Sequence, residues 1–159
     1  MATNGEKAYE LHKAAIGETE GSGDWVEITQ ERINAFADVT EDHQFIHVDP
    51  EACKQMSPWG VPIAHGFLTL SLLTHLSASL PTPAERLEGI VMGINYGFDK
   101  VRFLNPVKVG QRIRATSVLS AAEAKDPSTL QVTKTITVEI EGESKPALVA
   151  EWGTRLVYG

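Results

Sequence analysis

An α+β domain, with an antiparallel sheet wrapped around one central helix, is the fold class this sequence predicts, and three observations predict it. Helical spacing is confined to the first half of the chain. Within that half, Phe67, Leu68, Leu70, Leu72, Leu73 and Leu76 cover most of the circumference of a helix from about Ala64 to Ser79, and a helix apolar nearly all round is buried nearly all round. The second half changes period: from Gln131 to Glu141 the even positions Val132, Ile136, Val138 and Ile140 are apolar, with Lys134 the single exception. Alternation at period 2 marks a half-buried strand. Stretches 90–104, 112–123 and 146–157 behave similarly, with Asn105-Pro106, Asp126-Pro127 and Glu141-Gly142 as turn signals. Helices followed by a run of strands imply an antiparallel architecture and not alternating βαβ units. A sheet curling round a single apolar helix is the hot-dog arrangement.

The remaining elements follow in chain order. Residues 1–23 are polar and end in Gly21-Ser22-Gly23, which predicts a loosely ordered lead-in to a single domain over residues 24–159. Thr29 suits a helix N-cap, Glu31 suits the positive first turn, and Ile33, Phe36 and Ala37 form one apolar face. Thr40 to Gln44 carry no period and read as loop. Asp49 and Pro50 read as the cap and first turn of another helix. The central helix follows Pro58, Gly60 and Pro62 and ends before Pro81 and Pro83.

Composition narrows the function. With 159 residues, 42% hydrophobic and 22% charged, the chain fits one globular domain. Its net charge of −7 argues against nucleic acid or an anionic membrane as a partner. The 64–80 stretch is too rich in Ser, Thr and His to span a bilayer. The first residues have neither an apolar core nor a small-residue cleavage site, and Cys53 has no partner, so a cytoplasmic location is expected.

Asp42 and His47, five positions apart in a loop, are the first candidates for chemistry. A carboxylate and an imidazole converging on one water activate it, and positioned acid–base groups contribute about 10²–10⁴-fold in rate. Spacing alone favours a plainer reading, in which Asp42 caps a turn and His47 is a hydrogen-bonded, partly buried histidine. The second constellation is Ile63-Ala64-His65-Gly66-Phe67 at the mouth of the central helix. First-turn N–H groups lack partners there and can polarise a carbonyl; tight helix–sheet packing explains Gly66 equally well. His43, Asp42 and His47 also raise a metal site, but no Glu follows His43 and Pro50 disfavours a helix through both histidines, so no metal is expected. Lys100, Arg102, Lys108, Arg112 and Arg114 concentrate basic charge that suits phosphates, or are ordinary strand-edge charges.

The segment from Phe36 to Pro50, then Ala64-His65-Gly66, then Asn95-Tyr96-Gly97, Lys100-Val101-Arg102-Phe103 and Pro106-Val107 with Gly110, resembles the MaoC-like hydratases and dehydratases, which include (R)-specific enoyl-CoA hydratases with a hot-dog fold. The likeness covers roughly residues 24–157. It implies that Asp42 and His47 bind one catalytic water and that the Gly66 N–H meets the oxyanion. It further places Thr74 near the bound acyl group; Gln44 can orient a neighbour by hydrogen bonding, Lys100 and Arg102 suit the phosphates of coenzyme A, Asn95 and Arg102 can instead brace the site from the matching strand, and His65 joins them as a candidate binding residue. On this resemblance the reaction is hydration of trans-2-enoyl-CoA to (3R)-hydroxyacyl-CoA, or the reverse dehydration. Coenzyme A then belongs to the substrate, no other cofactor is implied, and a homodimer is expected. Dehydration of acyl-carrier-protein thioesters, thioester hydrolysis and a non-catalytic acyl-CoA-binding subunit are the alternatives. The chain departs from the family pattern at Glu41, where Gly is usual, at Gln44-Phe45, where Asn-Pro is usual, and at Cys53, where a small residue is usual.

Overall fold

The structure, a computed structural model, describes residues 1–159. In chain order its elements are α1 (Asn4–Ala14), β1 (Thr19–Ser22), β2 (Val26–Glu27), α2 (Gln30–Thr40), α3 (Phe45–Val48) and α4 (Pro50–Met56). Then come α5 (Gly66–Ser71), α6 (Leu73–Ser77), α7 (Ala84–Leu87), β3 (Ile90–Phe103), β4 (Arg112–Asp126), β5 (Thr129–Ile140) and β6 (Leu148–Tyr158). The sheet runs β1-β4-β5-β6-β3, with β2 also on β4, and every pairing is antiparallel. It does not close: β3 is a long free edge. This is the hot-dog arrangement, with α5 and α6 in the curl of the sheet.

The local signals work as the chemistry requires. The Thr29 hydroxyl accepts from the Arg32 N–H and starts α2. The Asp49 carboxylate accepts from the Ala52 N–H and starts α4, with Pro50 in the first turn. Alternation along β5 buries Leu130, Val132, Ile136, Val138 and Ile140 against the helices.

Lys134 interrupts that row for a physical reason. Its ammonium lies 2.9 Å from the carboxylate of Glu20, whose side chain is only 1% exposed. Ser117 donates to the same carboxylate at 2.8 Å, and Arg86 lies 3.7 Å away. A buried charge is tolerable only when paired and hydrogen-bonded in this way. This polar belt divides the inner face of the sheet into two apolar patches. On one side, Ile113, Ala115, Ile136, Val138, Leu148, Ala150 and Trp152 pack with Leu68, Leu73 and Leu76. On the other, Leu119, Leu130, Val132 and Tyr158 pack with Ala8 of α1 and Ala15 at its C-cap.

Two expectations need correction. The lead-in over residues 1–23 is not loose: Thr3 and Glu6 form a reciprocal capping box, α1 and its C-cap bury Ala8 and Ala15 on the sheet, and β1 pairs with β4. Helical spacing of Ala8, Leu11, His12 and Ala15 carries that signal, but small and polar residues mute it. The central helix is also not buried all round. It breaks at Leu72 into α5 and α6, and only Leu68, Thr69, Leu73 and Leu76 are buried. Phe67 stays 67% exposed because an open sheet covers one side of the helix only. The short elements α3, α7, β1 and β2 have too few residues to show a period.

Candidate active site

Three segments build the site. The loop after α2 carries Asp42, the single turn α3 carries His47, and the approach to α5 carries His65 and Gly66. Backbone bonds lock them together: Ile63 N–H to Ile46 O at 2.9 Å, and Ala64 N–H to Val107 O at 2.7 Å. The Gln30 amide donates to His47 O at 2.8 Å. Glu41 takes the left-handed conformation that turns the chain out of α2, with φ of 60°. That is the position where the family usually has Gly, the residue that adopts such a conformation without a steric cost.

His47 is 6% exposed. Its Nδ1 lies 2.7 Å from the Ile63 carbonyl oxygen, which can only accept. The proton therefore sits on Nδ1, and Nε2 keeps a lone pair. Burial holds the imidazole's pKa below its usual 6.5, and His65 acts in the same direction, against pulls from the Ile63 carbonyl and Asp42. His47 is thus a neutral base near pH 7, which is what proton abstraction from water requires. One ligand-type atom from each of Asp42, His47 and His65 lies within 4.8 Å of the others, close enough to share one small occupant.

The six remaining predicted residues divide. His65 is 3% exposed, so it is no open binding surface. Its Nε2–H donates to the backbone carbonyl of Asp42 at 2.9 Å, and its ring stacks on His47 at 3.8 Å between centroids, with Phe36 on it at 4.9 Å. It braces the pair. Gln44 precedes α3 without a side-chain cap, and its N–H reaches the Asp42 carboxylate at a long 3.4 Å, a weak form of the turn-capping role for Asp42. Thr74 and Asn95 line one cavity of about 310 Å³ between α6 and the sheet. Lys100 sits in a left-handed bulge of β3 and pairs with Glu151 at 3.1 Å, while Arg102 donates to the carbonyl of Val101. Neither cation is brought to Asp42. Arg112 and Arg114 are tied to Glu141 and Glu139 across β4 and β5. His43 bonds to Asp38 at 2.8 Å and leaves the cluster.

Gly66 opens α5, and no backbone carbonyl accepts its N–H. It lines a cavity of about 240 Å³ with Thr69, Phe103, Asn105 and Ala147. A Cβ built on it would meet the Phe103 ring at 3.0 Å, so packing does use the missing side chain, and the free N–H stands beside it.

Fold and site together define a hot-dog protein that presents a base, a carboxylate and an unpaired N–H for acid–base work. The profile of the MaoC like domain matches residues 12–141. The chain belongs to this MaoC-like family of hydratases and dehydratases. It is 52% identical over 144 residues to 3-hydroxyacyl-thioester dehydratase Z of Mycobacterium tuberculosis, covering 91% of this chain and 92% of that one. It is 49% identical over 144 residues to nodulation protein N of Rhizobium leguminosarum bv. viciae, covering 90% and 87%. Among solved structures, the (R)-hydratase of A. caviae involved in PHA biosynthesis shares the fold at a TM-score of 0.68, with 24% identity over 87% of this chain and 94% of that one. No helix is long and apolar enough to cross a membrane.

Proposed function

We propose that the protein adds water to trans-2-enoyl-CoA to give (3R)-hydroxyacyl-CoA, or runs the reverse dehydration. The observation that carries this reading is the fixed tautomer of His47, which leaves Nε2 its lone pair, on a ring with one nitrogen within 4.8 Å of an Asp42 carboxylate oxygen. Thioester chemistry is also what the 52% identical mycobacterial relative is named for.

In the forward direction, Asp42 and His47 hold one water. His47 Nε2 takes a proton as the water oxygen attacks the β-carbon. The π electrons move toward the thioester, and the enolate oxygen is met by the Gly66 N–H, a donor with no other partner. A proton then returns from the pair to the α-carbon. Preorganised donors of this kind are worth about 2.7–4 kcal/mol each. The acyl chain enters the cavity lined by Thr74 and Asn95. Coenzyme A enters as part of the substrate, and no step needs a metal or redox cofactor.

We further infer a homodimer built through β3, because a strand of fourteen residues with one free edge that exposes Val91, Met92, Ile94 and Tyr96 invites pairing. The lone cysteine and the absent membrane helix support a cytoplasmic location. Incubation with crotonyl-CoA tests the activity. Loss of enoyl-thioester absorbance is expected; release of free thiol would mean hydrolysis, and neither change would mean a binding subunit.

A further inference from the structure

The His65 imidazole sits at the centre of the site, yet the mechanism above gives it no step. It is 3% exposed and lines neither the cavity at Gly66 nor the one under α6, so substrate does not meet it there. It stands at the N-cap of α5, where Ser, Thr, Asp or Asn would bond the helix's first N–H groups, and its side chain makes no such bond. The Nε2–H goes instead to the Asp42 carbonyl oxygen at 2.9 Å. That oxygen can only accept, so the proton lies on Nε2, and the lone pair of Nδ1 is buried without a partner. An unpaired buried acceptor is destabilising. Packing alone does not call for one, since a phenylalanine ring would fill the same space.

His65 touches both members of the acid–base pair. Its N–H holds the backbone of Asp42, and its ring lies nearly flat on His47, with 3.8 Å between centroids and 22° between planes. Its own carbonyl accepts from the Leu68 and Thr69 N–H groups at 3.0 and 3.3 Å, so the backbone beneath the ring is fixed as well. Three of the four ring nitrogens in the stack are thereby accounted for. His47 Nδ1–H is on the Ile63 oxygen, His65 Nε2–H is on the Asp42 oxygen, and His65 Nδ1 is sealed from water. His47 Nε2 is the one left to a water. Two imidazolium charges stacked this closely, with little solvent between them, would repel strongly. The stack therefore takes up one proton and not two.

Resting on the hydratase reading above, we propose that His65 is a positioning residue with two separable effects: its N–H anchors the Asp42 turn, and its stacked ring confines the water's proton to His47.

Two substitutions divide these effects. His65→Phe keeps a ring on His47 and removes the N–H; His65→Gln puts an amide N–H where Nε2 was and removes the ring. With crotonyl-CoA, His65→Phe should lower kcat by about 10–10²-fold, the size of a misplacement of up to about an ångström, with KM and melting temperature little changed. His65→Gln should recover most of that kcat. Burial, and then His65, hold the His47 pKa below 6.5, and activity is lost as pH falls through that pKa because the base must be neutral. Both variants lack the second imidazole, so the acid limb of kcat/KM should move up in both. NMR titration of the His47 ring reads the same upward move without substrate. The same spectra follow the amides of Glu41 to Gln44, which should shift in His65→Phe and return in His65→Gln. Wild-type kcat or unshifted amides in His65→Phe would overturn the anchoring, as would equal loss of activity and melting temperature in both variants, the mark of a purely structural residue. An unmoved His47 titration would overturn the coupling. Failure of the hydratase reading shows separately, as a wild type that does not turn over crotonyl-CoA while the NMR shifts appear as expected.

Discussion

Gly66→Ala separates the packing role of this glycine from its chemical one. The added Cβ would lie 3.0, 3.1 and 3.2 Å from three carbons of the Phe103 ring, a few tenths of an ångström inside ordinary contact. Phe103 is half exposed and can swing outward, so the fold should tolerate the change. Alanine is also the better helix former, by about 0.8–1 kcal/mol in a helix interior, and Gly66 has no left-handed backbone to lose. Stability should therefore change by no more than about 1 kcal/mol. The methyl group, however, occupies the space from which a thioester oxygen approaches the N–H. Loss of an oxyanion contact worth about 2.7–4 kcal/mol lowers kcat by about 10²–10³-fold. The assay is steady-state hydration of crotonyl-CoA beside a thermal melt. Adding Phe103→Ala should relieve the ring contact without restoring turnover. Near wild-type kcat in Gly66→Ala, or full rescue by Phe103→Ala, would refute the oxyanion role.

Asp42→Asn and His47→Ala should each lower kcat by about 10²-fold or more, with the double variant little worse because the groups act on one water. Prolonged dialysis against a chelator should leave turnover unchanged, as stopped assays can check. Light scattering should find a dimer, and Ile94→Lys on the exposed edge should weaken it; a stable wild-type monomer would count against pairing through β3. His12 and His47 both have pKa values held below 6.5 by burial. An unfolded chain binds protons at these sites before the folded one does, so their contribution is complete above 6.5 and declines as pH falls toward the depressed folded values. Denaturant midpoints should fall in that direction, and His12→Gln should flatten the slope.

Much of this fold was legible from period and punctuation. Four strand windows and the caps at Thr29 and Asp49 rest on signals local to the chain, and local geometry delivers them. What escaped depends on distant partners. Lys134 looked like an error in the β5 pattern because its partner, Glu20, lies in β1, a strand too short to announce itself. The open face of α5 and α6 was hidden because periodicity measures where apolar residues sit, not how much sheet is available to cover them. At the site, spacing alone left Asp42 and His47 as a plain turn cap and a partly buried histidine, and only the resemblance to the family singled them out as a pair. The contacts of His65 were not legible, because only the fold brings its ring onto His47 and its N–H to the Asp42 backbone.

Hydration of crotonyl-CoA in heavy water tests the shared water most directly, through the configuration of both new centres. One water held between Asp42 and His47, facing an enoyl plane fixed at Gly66, must deliver hydroxyl and α-deuterium to the same face. The expected product is a single (3R) enantiomer formed by syn addition. Anti addition would remove the shared-water mechanism even if both residues proved essential, and a clean (3S) product would mean that the enoyl group meets the opposite face of the pair.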